Sequence, residues 1–62
     1  MCQSNVYLSS DGQEELILED VGFIRPQGNG VLLESIFGEE VFVEATIKEI
    51  DLLSHRVILE KR

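Results

Sequence analysis

Closely spaced turn signals divide this 62-residue sequence into short runs that resemble strands. Asp11-Gly12, Gly28-Asn29-Gly30 and Gly38 supply residues that accept the positive φ angles of tight turns. The runs between these signals are rich in Val, Ile, Leu and Phe, which favour strands. Short strands separated by turns at this spacing predict a small all-β sandwich or barrel.

Five strands are predicted between the turns. They cover residues 5–9, 14–20 with an extension to 26, 31–37, 41–48 and 56–60. Gly22 predicts a bend or bulge in the second strand, and the alternation lost after Lys48 predicts another bulge near Lys48-Glu49. Residues 51–55 fit one helical turn, which Asp51 would cap. The expected fold is therefore an all-β, five-stranded SH3-like or Sm-like barrel of one domain, residues 1–62, with a short helical turn before the last strand.

The length of the chain favours a homodimer. A domain of this size buries only about 60% of its unfolded surface, so one copy is marginally stable. A single cysteine excludes an intrachain disulfide, and no cluster of Cys and His has zinc-type spacing. The second and third strands carry apolar residues on both faces. We expect the extra apolar face of one of these strands to form the dimer contact.

The charge of the chain narrows the classes of partner. Twelve acidic and five basic residues give a net charge of −7. This charge opposes binding to nucleic acids and to anionic membrane surfaces, and it attracts cations. The sequence has no apolar run long enough to span a membrane and no signal-peptide pattern. We therefore expect a cytoplasmic protein whose thiol stays reduced.

Cys2, the only cysteine, is the first candidate metal ligand. Removal of Met1 would leave the thiol and the free α-amino group of Cys2 on one residue, where they can chelate a metal. Two copies of the chain would supply two nitrogens and two sulfurs, a set that suits tetragonal Ni(II) or Cu(II). The alternative is that Cys2 is a small apolar residue with no role in binding.

His55, the only histidine, is the second candidate metal ligand, from the same chain or from its partner. The alternative is that His55 is an ordinary turn residue. The scattered carboxylates are more typical of solvated faces than of a calcium site, since no Gly-rich calcium loop surrounds them. No phosphate-binding loop, dinucleotide fingerprint or nucleophile motif is present. We therefore expect a protein that is not an enzyme.

The whole sequence resembles the CooT-type family of small nickel-binding proteins. The resemblance rests on segments in this order: Met1-Cys2, Asn5-Val6-Tyr7-Leu8, Asp11-Gly12, Glu19-Asp20-Val21, Gly30-Val31-Leu32-Leu33, Phe37-Gly38-Glu39, Ile47-Lys48-Glu49-Ile50-Asp51-Leu52 and His55-Arg56-Val57-Ile58-Leu59-Glu60. It implies a homodimeric SH3-like barrel in which Cys2 of both chains binds one Ni(II) ion. It also implies an accessory protein or metallochaperone that matures a client, nickel-dependent carbon monoxide dehydrogenase. The ligand carried over from the family is Cys2, whereas His55 is added from its chemistry.

Two other functions remain open at this point. An Sm-like barrel that binds RNA through its aromatic residues would need a salt-sensitive association despite the net charge of −7. A protein-interaction module would use its surface alone, with no role for a metal.

Overall fold

The computed structural model describes residues 3–62, which form one curled half-barrel sheet. Its strands are β1 (Ser4–Ser10), β2 (Gln13–Gln27), β3 (Gly30–Ser35), β4 (Glu40–Val43), β5 (Ala45–Asp51) and β6 (Arg56–Lys61). Their order across the sheet is β4-β3-β2-β1-β6-β5. The central strand β1 pairs antiparallel with β2 and parallel with β6, so the first and last strands are neighbours.

The predicted all-β class is confirmed, but the predicted count of five strands is wrong. Residues 41–48, predicted as one strand, belong to β4, which ends at Val43, and β5, which begins at Ala45. The chain must break at Glu44 because β4 pairs with β3 at one edge of the sheet and β5 pairs with β6 at the other. The second predicted strand extends without a break through Pro26 to Gln27.

Both predicted bulges are confirmed. The pairing of β2 with β3 shifts register between Val21 and Phe23, on either side of Gly22. The pairing of β5 with β6 shifts between Ile47 and Glu49, on either side of Lys48. These irregularities let a single sheet of short strands curl, since a bulge increases the local bend and twist.

The predicted helical turn is wrong: residues 52–55 form a non-helical turn that leads directly into β6. The capping contact itself is present, because Asp51 Oδ1 accepts hydrogen bonds from the N–H groups of Leu53 and Ser54, both at 3.1 Å. His55 then adopts a left-handed φ of 56°, which a right-handed helix cannot continue. The chain therefore reverses at His55.

β3 ends at Ser35, two residues before the predicted end of that strand. Ser35 Oγ accepts hydrogen bonds from the N–H groups of Phe37 and Glu39, both at 3.1 Å. Because the buried Ser35 hydroxyl accepts both of these bonds, it stabilises a turn at residues where β3 would otherwise continue to pair with a neighbouring strand.

The core lies on the concave side of the sheet. Its fully buried members are Val6, Leu33 and Leu59, one from each of β1, β3 and β6. Val21, Val31, Ala45 and Val57 complete the buried cluster. Among residues 3–62, no helix has the length and hydropathy needed to cross a membrane.

The edge strands β4 and β5 meet at Glu44, and Gly30 of β3 lies close to this junction. A Cβ atom on Gly30 would collide with the carbonyl oxygen of Val43 and lie 2.9 Å from the Phe42 ring. The N–H of Arg62 also donates to the carbonyl of Glu44 at 3.5 Å. The half-barrel is therefore drawn together at this end, where glycine gives the backbone room.

Candidate functional site

The start of β1 lies at one end of the sheet, together with the start of β6 and the end of β5. This follows from the register, in which Arg56 pairs with both Asn5 and Asp51. The end of β3 lies nearby, because Ser35 pairs with Val21 in the middle of β2. We call this the N-terminal end of the sheet. It is the end at which the chain leads from residue 3 into β1.

Three hydrogen bonds join the elements at the N-terminal end. The N–H of Asn5 donates to the carbonyl of His55 at 2.9 Å. The N–H of Asp20 donates to Asn5 Oδ1 at 3.2 Å, and the N–H of Ile36 donates to the carbonyl of Asp20 at 2.8 Å. Asn5 therefore ties the β5–β6 turn to the middle of β2, and Asp20 continues the connection to the β3–β4 turn.

Two of the residues in this chain of hydrogen bonds hold a strained backbone. Asp20 and His55 both have a φ of 56°, which is uncommon for residues other than glycine, although Asp and His tolerate it better than most. Left-handed backbone at such positions costs free energy and persists where surrounding contacts impose it. Here Asn5 supplies a contact to each residue. The start of β1 is thus held in a defined position between the β5–β6 turn and the middle of β2.

The most exposed of the large apolar side chains lie at the N-terminal end. Leu52 and Leu53 in the β5–β6 turn are 73% and 95% exposed, and Phe37 in the β3–β4 turn is 74% exposed. Ile50, near the end of β5, is 54% exposed. The turns at the opposite end carry the polar sequences Asp11-Gly12 and Gly28-Asn29. Large apolar side chains grouped in this way are typical of an interaction surface.

Gln3 adds a buried acceptor at the start of β1. Its side-chain Oε1 is buried and has no hydrogen-bond partner within residues 3–62. A buried polar atom without a partner costs about 1–3 kcal/mol, so a donor from outside this range would stabilise it.

Of the two predicted metal ligands, the structure describes the position of His55 alone, and metal binding by either residue stays a prediction. Cys2 lies outside the described residues. His55 is exposed in the β5–β6 turn, and its backbone carbonyl holds Asn5, three residues after Cys2 in the sequence. Within the part of the chain that is described, no three His, Cys, Asp or Glu side chains are grouped in a way that could hold a metal ion.

Sequence reasoning missed Asn5, Asp20 and the apolar turn residues as parts of one site. Asn5 was predicted only as the first residue of a strand, and nothing in a single sequence indicates that its side chain accepts a hydrogen bond from the distant Asp20 N–H. The Leu52-Leu53 pair offered a usable signal, because two leucines in a short turn have little to pack against. Because residues 51–55 were predicted as a helical turn, the two leucines were not interpreted as exposed.

The sequence matches the family described as "CO dehydrogenase accessory protein CooT" over residues 1–60. This chain belongs to the CooT family. The match covers nearly the whole chain, including Cys2 and His55. The family is one of accessory proteins to an enzyme, which agrees with the prediction that the chain is not itself a catalyst.

Two relatives are similar to this chain over nearly its whole length. The chain is similar to a crystal structure of a CooT from Carboxydothermus hydrogenoformans, with a TM-score of 0.93 and 38% identity over 98% of each chain. It is also 32% identical over 60 residues to an uncharacterized protein of Methanocaldococcus jannaschii, covering 97% of this chain and 98% of that protein. The resemblance to the CooT family is thus confirmed in sequence and in fold.

Proposed function

We propose that the chain is a homodimeric nickel-binding protein that delivers Ni(II) to a nickel enzyme, carbon monoxide dehydrogenase. In this proposal the Ni(II) ion is cargo, held by Cys2 of both chains, and the barrel is SH3-like. The observation that carries the proposal is the family match over residues 1–60, because CooT proteins are described as accessory to that dehydrogenase and the match includes Cys2.

The chemistry of the donors supports nickel as the cargo. Each chain has one thiol, so a site with two sulfurs requires two chains. Thiolates are soft ligands, and with two amines they make a set suited to tetragonal Ni(II). The thiols and amines must lose protons to bind, so we expect nickel binding to release protons and to weaken as the pH falls.

The geometry of the N-terminal end supports a dimer formed there. Two copies of Cys2 must meet at one ion, so the two starts of β1 must lie close together. Ile50, Leu52 and Leu53 lie at the same end and are exposed. Packing them against a second copy would remove apolar surface from water, and it would bring new donors near Gln3 Oε1. We therefore propose the β5–β6 turn as the dimer contact, in place of the predicted face of the second or third strand.

His55 is proposed as an auxiliary ligand. Its carbonyl is bound to Asn5, and the three residues from Cys2 to Asn5 span at most about 10 Å when extended. The imidazole is exposed and free to turn toward an ion held at the start of either chain. The hydrogen bond to Asn5 would keep the His55 backbone in place as nickel arrives and leaves.

A nickel titration of wild type, Cys2→Ser and His55→Gln tests this function. We expect one Ni(II) per two chains in wild type, a thiolate-to-nickel charge-transfer band, and loss of both in Cys2→Ser. Unchanged affinity in Cys2→Ser would refute the metal site and favour a protein-interaction module. Equal affinity in His55→Gln would remove His55 from the site and leave Cys2 in place. A form that retains Met1 separates the amine from the thiolate in the same assay.

A further inference from the structure

The first half of β2 has an unpaired edge. Residues 13–18 of β2 pair with β1, whereas the pairing of β2 with β3 begins only at Val21. On the side facing away from β1, residues 14–19 therefore have no neighbouring strand among the described residues. Backbone N–H and C=O groups along such an edge are available to an added strand.

A groove runs along this free edge. It is lined by Leu16, Ile17 and Leu18 of β2 and by Phe37 of the β3–β4 turn. Ile17 and Leu18 are half-buried and pack against the core, while Leu16 and Phe37 are exposed. An extended peptide laid in the groove would meet both backbone partners and apolar side chains, as in strand addition.

The charges around the groove are all negative. Glu19, Asp20 and Glu39 line it, and Glu14 and Glu15 lie on the same strand beyond it. Glu14 is paired with Arg56 at 2.7 Å, and no other described carboxylate in this group has a salt-bridge partner. A second copy placed edge to edge would bring two of these acidic rows together, at a cost in repulsion. The charge instead complements a basic partner.

We propose that the free edge of β2 is a docking site for an extended protein segment in which apolar residues alternate with Lys or Arg. The segment would add as a strand beside residues 14–19, place apolar side chains against Leu16 and Phe37, and place its cations beside Glu19 and Glu39. This inference goes beyond nickel binding and does not depend on it, because none of these residues is a proposed ligand.

A labelled seven-residue peptide of alternating Lys and Val, with blocked ends, is a direct probe. We expect binding in fluorescence anisotropy at low salt, and ¹H–¹⁵N NMR shift changes confined to residues 14–20 and 36–39. A peptide of alternating Glu and Val, and one with alternate backbone nitrogens methylated, should bind at least about tenfold more weakly, since they lack the charge and the strand hydrogen bonds, respectively. Absence of binding by the Lys-Val peptide would overturn the proposal.

A matched pair of charge reversals locates the site. Glu19→Lys/Glu39→Lys changes the groove. The N–H of Glu39 donates to Ser35 Oγ and its carbonyl accepts from the Ser35 N–H, so the substitution leaves both main-chain groups in place. Glu49→Lys/Glu60→Lys changes the net charge equally at exposed positions of β5 and β6. We expect about tenfold weaker binding in the first variant and less than about twofold in the second.

Equal losses in the two variants would mean non-specific attraction and would refute the site. Shift changes at residues 14–20 that depend on protein concentration without peptide would show a second copy on this edge, and would also refute it. Cys2→Ser protein should bind the Lys-Val peptide with the affinity of wild type. The proposal of a docking site is therefore tested independently of the proposal of a nickel site.

Discussion

β3 begins at Gly30 and ends at Ser35, and each of these residues is fixed by contacts with backbone atoms. Gly30 leaves room for the Val43 carbonyl of the neighbouring strand β4, and Ser35 Oγ accepts hydrogen bonds from two N–H groups of the turn that follows. The turn at Gly28-Asn29-Gly30 was predictable from the glycines. The close approach of Gly30 to β4 was not, because it depends on which strands become neighbours.

Gly30→Ala should destabilise the fold by about 1–3 kcal/mol, since the new Cβ would overlap a backbone carbonyl that has little freedom to move. Urea unfolding at a fixed protein concentration measures the change. Gly22→Ala is the control, because its Cβ would lie 3.3 Å from a side-chain methyl of Ile36 that is able to shift. A loss in Gly22→Ala as large as that in Gly30→Ala would contradict this account.

At the scale of elements, strand identities follow from the sequence more readily than strand neighbours do. β1 and β6 were predicted to within one residue at each end, and both bulges were placed correctly. Their parallel pairing was not predicted, because hydrophobic alternation indicates a buried face but not the strand beside it. One contact that this pairing creates is between Arg56 and Tyr7, where the guanidinium carbon lies 4.8 Å from the centroid of the ring.

Asn5→Ala tests how strongly the elements at the N-terminal end are joined. The substitution removes the acceptor for the Asp20 N–H, and we expect a loss of about 1 kcal/mol in the free energy of unfolding. Hydrogen exchange at the amide of Asp20 should also become faster. Asn29→Ala is the matched control, because its side chain bonds to Glu44 at an exposed position and should contribute only a few tenths of a kcal/mol. Equal losses from the two variants would argue against a special role for Asn5.

At the scale of the whole molecule, the three most exposed large apolar side chains of the described residues, Phe37, Leu52 and Leu53, lie at the N-terminal end. The sequence predicted excess apolar surface and therefore a dimer, but it assigned the contact to a strand face. The contact proposed from the structure differs because exposure in a curled sheet depends on where strands stop, and Leu52 and Leu53 lie in a turn beyond the last pair of β5 and β6. The candidate ligands could be named from composition, whereas the position of Asn5 between the β5–β6 turn and the middle of β2 required the fold.

Leu52→Ser/Leu53→Ser should dissociate the proposed dimer while leaving the fold of each chain intact, since both side chains are mostly exposed in a single copy. Light scattering gives the mass, and circular dichroism reports the fold. Phe23→Ser is the control on the β2 face, where the ring is exposed beneath the Arg25 guanidinium. A dimer that survives the leucine changes and is lost in Phe23→Ser would restore the contact predicted from the sequence.

The parallel pairing of β1 with β6 also sets an order of events during synthesis. A ribosome adds about 5–20 residues per second, so several seconds separate the completion of β1 from the arrival of its β6 neighbour. The His55 carbonyl that holds Asn5 becomes available equally late. We therefore expect the nascent chain to present its first residues to aminopeptidases before the sheet closes around β1. The choice between a Cys2 amine and an intact Met1 would then be made before the protein has finished folding.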